Sequence, residues 1–332
     1  MHSRASLNSL KRQVVMSNPN VPTINLETAF SDDHQLRLID SACRDHGFFL
    51  IKNHGIQKEI DDMWNMSKWF FSQERNEKLK ILRTEEIPLG FYDRELTKQK
   101  RDLKEVFDFM EPRQEEDINQ WPVEKKFQET MQNFFHRSSE VAEKTLKLIF
   151  KCLNLEKNKF FSGDSKTSNA RLNFYPTSDP LSLEEKNKVN ELGDMALHHH
   201  TDPGILTLLH QDMTGGLQAK SKKFGWIDIS PEKDSIVVNL GDAMQVWTND
   251  NYVAALHRVL KRTTKPRFST PYFYNPSRNA IIKPIEEIAL SNPFYKPFTW
   301  KEYIQGRIDD NYKDLGQDDI QISKFRINHH PT

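Results

Sequence analysis

The chain has 332 residues, 36% of them hydrophobic, with 47 Lys+Arg against 47 Asp+Glu. That much apolar material supports a sizeable packed core and excludes a disordered chain, while the balanced charge gives no global electrostatic reason to expect nucleic acid or an anionic membrane as partner. Only Cys43 and Cys152 occur, which excludes a disulfide framework and a cysteine-based zinc site and suits a reducing compartment; a cytoplasmic location and a small-molecule partner are the expectations.

In chain order, residues 1–20 read as a flexible extension, acid-free up to Met16 and faintly like an organelle presequence. No apolar stretch approaches the roughly 18–20 residues of a membrane span, so no membrane segment is expected. From about Asp33 to Leu155 the pattern is mostly helical: Leu36, Leu38, Ile39 and Ala42 recur at three-to-four spacing, then Met63, Trp64, Trp69 and Phe70, then Val141, Leu146, Leu148 and Ile149. The charged runs Lys98–Lys104, Arg113–Asp117 and Lys220–Lys223 read as solvated faces. From about Ala170 to Pro276 the texture changes to short apolar runs bounded by Gly, Asp, Asn and Pro, namely Ile205–Leu209, Ser235–Leu240, Met244–Thr248 and Phe268–Tyr274. Several short strands at such spacing argue a sandwich or jelly roll. The polar stretch between Pro176 and His200 looks like a surface insertion, a candidate helical lid. From Pro284 the chain returns to loop and helix around Trp300–Tyr303. No internal repeat is present, and the expectation is one compact unit: a region 21–165 packing on a core 166–283, with an insertion at about 177–196 and a C-terminal segment 284–332.

The chemistry concentrates in His198-His199-His200-Thr201-Asp202-Pro203-Gly204 and the isolated His257. In a strand, residues i and i+2 share a face, so His200 and Asp202 would aim an imidazole and a carboxylate at one point, and His257 would complete the set. Two histidines and one carboxylate on one side of an ion leave three positions open, as non-haem iron(II) oxygenases require for binding a co-substrate and O2 together. Alone, a His-Xaa-Asp triplet is also what a solvated turn can contain. Arg267 and Ser269 form another i, i+2 pair, able to offer a guanidinium fork and a hydroxyl to a carboxylate, or simply to sit on a surface strand.

The segments Asn173-Phe174-Tyr175-Pro176, His200–Gly204, Gly215-Gly216-Leu217-Gln218, Asn239-Leu240-Gly241-Asp242, Gln245–Asn249, His257-Arg258-Val259 and Arg267-Phe268-Ser269 follow the order found in the isopenicillin N synthase-like branch of the iron(II)/2-oxoglutarate dioxygenases. The N-terminal segments Val21–Leu26, Cys43–Phe49, Asn53-His54-Gly55-Ile56 and Lys104–Asp108 resemble the same family. The resemblance implies an α+β fold with a mainly β core, a double-stranded β-helix (jelly roll) with an N-terminal helical layer and a C-terminal helix. It implies iron(II) held by His200, Asp202 and His257, with 2-oxoglutarate as co-substrate, O2 as oxidant and ascorbate as assay reductant. Arg267 and Ser269 would bind the distal carboxylate of 2-oxoglutarate, and Asn173 and Tyr175 would help hold it. Phe91, Tyr92, Ile205, Thr207 and Phe273 become substrate-pocket candidates. The expected reaction is hydroxylation, desaturation or ring closure of a small molecule by a monomer or weak homo-oligomer. An iron(II) oxidase of the same family that does without 2-oxoglutarate is the nearest alternative, and a non-catalytic ligand-binding jelly roll a more distant one.

The remaining histidines need separate treatment. His198 would share the face of His200 in a regular strand, as a structural or substrate-side group, and His199 would point away. His54 and His210 read as fold residues, and Gly215-Gly216 as a turn between strands because it lacks the spacing of a phosphate loop. Trp121, Trp226, Trp247 and Trp300 read mostly as core.

Overall fold

The structure is a computed structural model that describes residues 21–97, 100–112, 118–155, 162–261, 264–312 and 321–327. The helical layer follows from apolar spacing and capping. The helix Asp33–Asp45 starts where the Asp32 side chain accepts from the backbone N–H groups of His34 and Gln35 at 2.9 and 3.2 Å, and it buries Ile39, Ala42 and Cys43. Gln57–Phe71 buries Ile60, Met63, Met66 and Phe70, and the 28-residue helix Lys125–Cys152 turns Phe127, Met131, Phe134 and Phe135 to the same core. No described helix is long and apolar enough to cross a membrane.

Against this layer lies an eight-stranded sheet in the order Thr23–Asn25, Phe48–Lys52, Ile236–Leu240, Leu206–Gln211, Arg267–Tyr274, Asn169–Tyr175, Glu105–Met110, Gly90–Tyr92. All its pairings are antiparallel except the first. A four-stranded sheet, Gly225–Asp228, Leu217–Ser221, His257–Val259 and Leu197–His200, covers the other face. A second apolar cluster joins the two sheets: Phe48, Leu50, Tyr175 and Val237 from the larger, and Leu217, Ala219, Ile227 and Val259 from the smaller. This is the jelly roll, helices flanking a mainly β core.

Four strands of the larger sheet, Thr23–Asn25, Phe48–Lys52, Gly90–Tyr92 and Glu105–Met110, come from before residue 165, so the N-terminal region builds the sheet as well as covering it. Met244–Thr248, expected as a strand, forms the end of the helix Asp242–Trp247, with Thr248 as its C-cap. A short buried apolar run carries no period that separates the two states, and Gly241 with Asp242 at the start favours the helix. The stretch 177–196 is mostly irregular, with one short helix, Leu183–Lys186, closed by a capping box between Ser182 and Glu185. It is fastened by an Arg101–Asp179 ion pair, by Glu185 on Arg75 and Arg94 at 2.9 and 3.0 Å, and by backbone bonds of Arg101 to Glu191 and Gly193.

That fastening overturns one expectation: Arg101, Asp102 and Lys104 are buried, not solvated. Lys98 and Arg113–Asp117 lie outside the described residues, as do residues 1–20. Gly215 and Gly216 form the turn into Leu217–Ser221, at φ of 75° and 96° that only glycine adopts without strain.

Candidate metal centre and co-substrate site

His200 ends the strand Leu197–His200, and His257 opens its neighbour His257–Val259 as the direct cross-strand partner. Their rings lie 4.3 Å apart between centroids. Asp202 is no longer on the strand. The expectation of a shared strand face is therefore corrected: the chain leaves the sheet at His200, and the carboxylate is brought back by the loop, whose Asp202 carbonyl accepts from the backbone N–H of Asp242 at 2.8 Å. The result is Asp202 Oδ1 at 3.6 Å from both His200 Nε2 and His257 Nε2. One ligand atom from each of the three lies within 4.8 Å of the others.

Hydrogen bonds decide which atoms are free. His200 Nδ1 meets the His198 carbonyl at 2.9 Å, and His257 Nδ1 meets the Ala255 carbonyl at 3.2 Å. A carbonyl only accepts, so both Nδ1 atoms carry the proton and both Nε2 atoms keep a lone pair. Burial, with His257 close by, pushes the His200 pKa down to about 3, so its imidazole is neutral. Burial opposes ionisation of Asp202, but His257, His200 and the hydrogen bonds of Thr207 and Asn239 outweigh it and hold its carboxyl below the usual range. Thr207 Oγ1 and Asn239 Nδ2 both donate to Asp202 Oδ2, at 2.6 and 2.7 Å. Oδ1 is left for a metal. A buried anion facing two imidazole lone pairs fits a divalent cation with open positions, as iron(II) needs.

A second charged group lies on the larger sheet. Arg267, 1% exposed, is the cross-strand partner of Tyr175, and its guanidinium carbon stands 5.0 Å from that ring's centroid. Its Nη1 donates to Ser269 Oγ at 3.1 Å and its Nη2 to Gln211 Oε1 at 3.3 Å, while Nε has no partner among the described residues. Asn173 Nδ2 reaches Ser269 Oγ at 3.5 Å. Among the described residues every partner is neutral. A buried guanidinium without an anion costs far more than a solvated one, so this cluster of Arg267, Ser269, Asn173 and Tyr175 fits a carboxylate.

The same sheet face continues, by strand alternation, to Lys104, Asp108 and Arg171. Arg171 donates to both Asp108 oxygens at 2.6 and 2.9 Å and to Glu95 at 2.8 Å; Arg83 bonds the same two acids at 2.7 Å each; Lys104 reaches Glu95 at 2.8 Å. Burial opposes the charge on Glu95, but Arg171, Lys104 and Arg83 hold its carboxyl well below the usual range.

Of the pocket candidates, Phe91 and Ile205 do not line the site. Both are 0% exposed in the main core, Phe91 against Phe70 on the helix side. Thr207 spends its hydroxyl on Asp202. Tyr92, under the Arg83 guanidinium at 4.3 Å, and Phe273, cross-strand from Thr207, remain half-buried on the inner face. His198 Nδ1 bonds Asp102 Oδ1 at 2.9 Å, an interaction that raises its pKa, and His199 stands 6.3 Å from Trp226 between ring centroids. Asn239 and Thr207 as orienting groups escaped the sequence reading. The available signal was a single amide in the otherwise apolar, fully buried run Ile236–Leu240.

Residues 167–276 match the family model described as 2OG-Fe(II) oxygenase superfamily, and residues 21–124 match that described as non-haem dioxygenase in morphine synthesis N-terminal. The chain is 32% identical to 1-aminocyclopropane-1-carboxylate oxidase 4 of Solanum lycopersicum, over 86% of this chain and 89% of that protein. It is 29% identical to Jasmonate-induced oxygenase 2 of Arabidopsis thaliana, over 90% and 82%. Among solved structures, a full-length Neurospora crassa protein in complex with alpha-KG superposes with a TM-score of 0.74 at 28% identity, covering 86% of this chain and 94% of that one. JOX2 in complex with 2OG, Fe and JA gives 0.73 at 25%, covering 87% and 85%. With both family models matched in order and the paired imidazoles and carboxylate drawn together, the chain belongs to the 2OG-Fe(II) oxygenase superfamily and is an iron- and 2-oxoglutarate-type dioxygenase in fold and class.

Proposed function

We propose that the protein hydroxylates, desaturates or cyclises a small polar molecule with consumption of 2-oxoglutarate. Arg267 carries this reading: a buried guanidinium with only neutral partners among the described residues, on the sheet that faces the metal ligands. His200 Nε2, His257 Nε2 and Asp202 Oδ1 would hold iron(II), and Arg267 with Ser269 the far carboxylate of 2-oxoglutarate, with Asn173 and Tyr175 beside it. When bound, iron and 2-oxoglutarate supply O2 activation, with succinate and CO2 as co-products. The chain's own part is orientation: Thr207 and Asn239 hold one carboxylate oxygen so that the other faces the metal, and the backbone carbonyls of His198 and Ala255 hold both imidazoles in one tautomer. The solved relatives in complex with alpha-KG and with 2OG support the co-substrate. The wall of Arg83, Arg171 and Lys104 paired with Glu95, Asp108 and Asp102 carries equal numbers of cations and anions, which favours a neutral or zwitterionic polar substrate over a hydrocarbon-like one.

The test is a substrate-pool screen with iron(II), ascorbate and 2-oxoglutarate, following product mass, succinate and O2 uptake together. Succinate formed in step with a product that has gained one oxygen or lost two hydrogens supports the proposal. The similarity to an enzyme named as an oxidase favours a second reading, in which Arg267 and Ser269 grip a substrate carboxylate and 2-oxoglutarate is dispensable. Product and O2 uptake without succinate would establish that reading and remove the first.

A further inference from the structure

Asp202 sits on irregular backbone, where no ladder fixes the peptide planes, yet each carbonyl of its loop has a donor. The Asp202 carbonyl takes the Asp242 N–H at 2.8 Å, and the Pro203 and Gly204 carbonyls share the Ala243 N–H at 3.3 and 3.1 Å. The Thr201 carbonyl, one peptide before the ligand, accepts from Arg307 Nη2 at 2.6 Å. The Thr201 side chain is held as well: its Oγ1 donates to Asp242 Oδ2 at 3.2 Å, and Tyr303 OH donates to the same oxygen at 2.5 Å. Tyr303 and Arg307 stand four residues apart on the helix Trp300–Tyr312, hence on one face, and both are buried. There is no slack on the opposite side, since a Cβ on Gly241 would lie 2.1 Å from the Gly204 carbonyl oxygen.

We propose that the C-terminal helix is a structural arm of the metal centre, with Tyr303 and Arg307 as positioning residues that hold the Thr201–Asp202 peptide and so set metal affinity. The plane of that peptide directs the Asp202 Cα–Cβ bond. Without Arg307 the Thr201 carbonyl turns toward another donor and Asp202 Oδ1 leaves the point shared by the two Nε2 atoms. The inference rests on the metal-site reading above.

The experiment is a Co(II) titration of the full-length chain, read by visible absorption, for wild type, Arg307→Gln, Arg307→Lys, Tyr303→Phe, Lys301→Ala and His200→Ala, with the melting temperature of each metal-free protein measured in parallel. Arg307→Gln and Tyr303→Phe are expected to weaken Co(II) binding by about tenfold, the size usual for groups that orient ligands, and to shift the absorption band. Arg307→Lys, which keeps a cationic donor, recovers part of the loss, and Lys301→Ala, exposed on the same helix, binds as wild type does. Wild-type affinity and an unshifted band in both Arg307→Gln and Tyr303→Phe would overturn the proposal. So would an equal loss in Lys301→Ala. Should Arg307→Gln fail to fold, Tyr303→Phe, which removes one hydroxyl, decides alone. A wild type that binds Co(II) no better than His200→Ala defeats the metal-site reading itself, a different result from wild-type binding that the arm variants leave untouched.

Discussion

The strand Leu206–Gln211 has two faces that do different work. Leu206, Leu208 and His210 point to the helical layer, where His210 meets the Phe134 ring edge-on at 5.0 Å. Thr207 and Gln211 point to the smaller sheet and bond Asp202 and Arg267. The helix side buries apolar surface and supplies stability; the inner side holds charges in place at some cost to it. Substitutions on the two sides should therefore separate folding from chemistry.

The largest separation is expected from Asp202→Ala. Turnover and Co(II) binding should vanish, while the metal-free protein still folds, with a loss of only about 1–3 kcal/mol as the buried Thr207 and Asn239 donors lose their acceptor. Measurable turnover in that variant would remove Asp202 from the site. The opposite case is Phe107→Ala on the helix side, where the ring packs on Phe70 at 5.0 Å and Phe127 at 5.2 Å. Chemical denaturation should show a loss of about 3–5 kcal/mol, with Co(II) affinity unchanged below the unfolding transition. If affinity falls too, the two faces are not independent.

Arg267→Ala removes charged hydrogen bonds that form only with a bound carboxylate, so the 2-oxoglutarate requirement should rise about 10- to 100-fold, from roughly 1.5–3 kcal/mol. Steady-state kinetics against 2-oxoglutarate measures this, and an unchanged KM discards the co-substrate assignment. The smallest effect concerns acid stability. Burial, with His54 nearby, pushes the His210 pKa down to about 3, whereas the unfolded chain protonates histidine near its ordinary value of about 6.5. Between those values the unfolded state binds the extra proton, so stability is full above about pH 6.5 and falls by about 1.4 kcal/mol per pH unit as acid is added. His210→Leu should flatten that slope in denaturation curves taken from pH 7 to pH 5. Parallel slopes in wild type and variant would show that His210 is not buried neutral.

The contrast between the faces also explains what could be read in advance. Apolar patterning located the long helices of the N-terminal layer and three strands, Leu206–Gln211, Ile236–Leu240 and Arg267–Tyr274, and it failed at Met244–Thr248, where a buried run lacks a period. Alternating charges around Lys104 looked solvated because their partners Glu95, Asp179 and His198 are remote or unremarkable in sequence. Phe91 and Ile205 were drawn to the pocket by resemblance, but pairing register turned one to the helix side and packing sealed both.

By itself the order of residues specified the ligand types and their spacing, His-Xaa-Asp with a later histidine, and an arginine two residues from a serine. It also specified the alternation that would put polar groups on one sheet face. Tertiary structure alone decided that Asp202 returns to His200 by a loop instead of a strand, that Thr207 and Asn239 occupy its second oxygen, and that Arg307 reaches the peptide beside it. The reason is that a hydrogen bond between residues far apart in the chain leaves no periodic or local trace. It exists only once the sheets close and bring the two ends within about 3 Å.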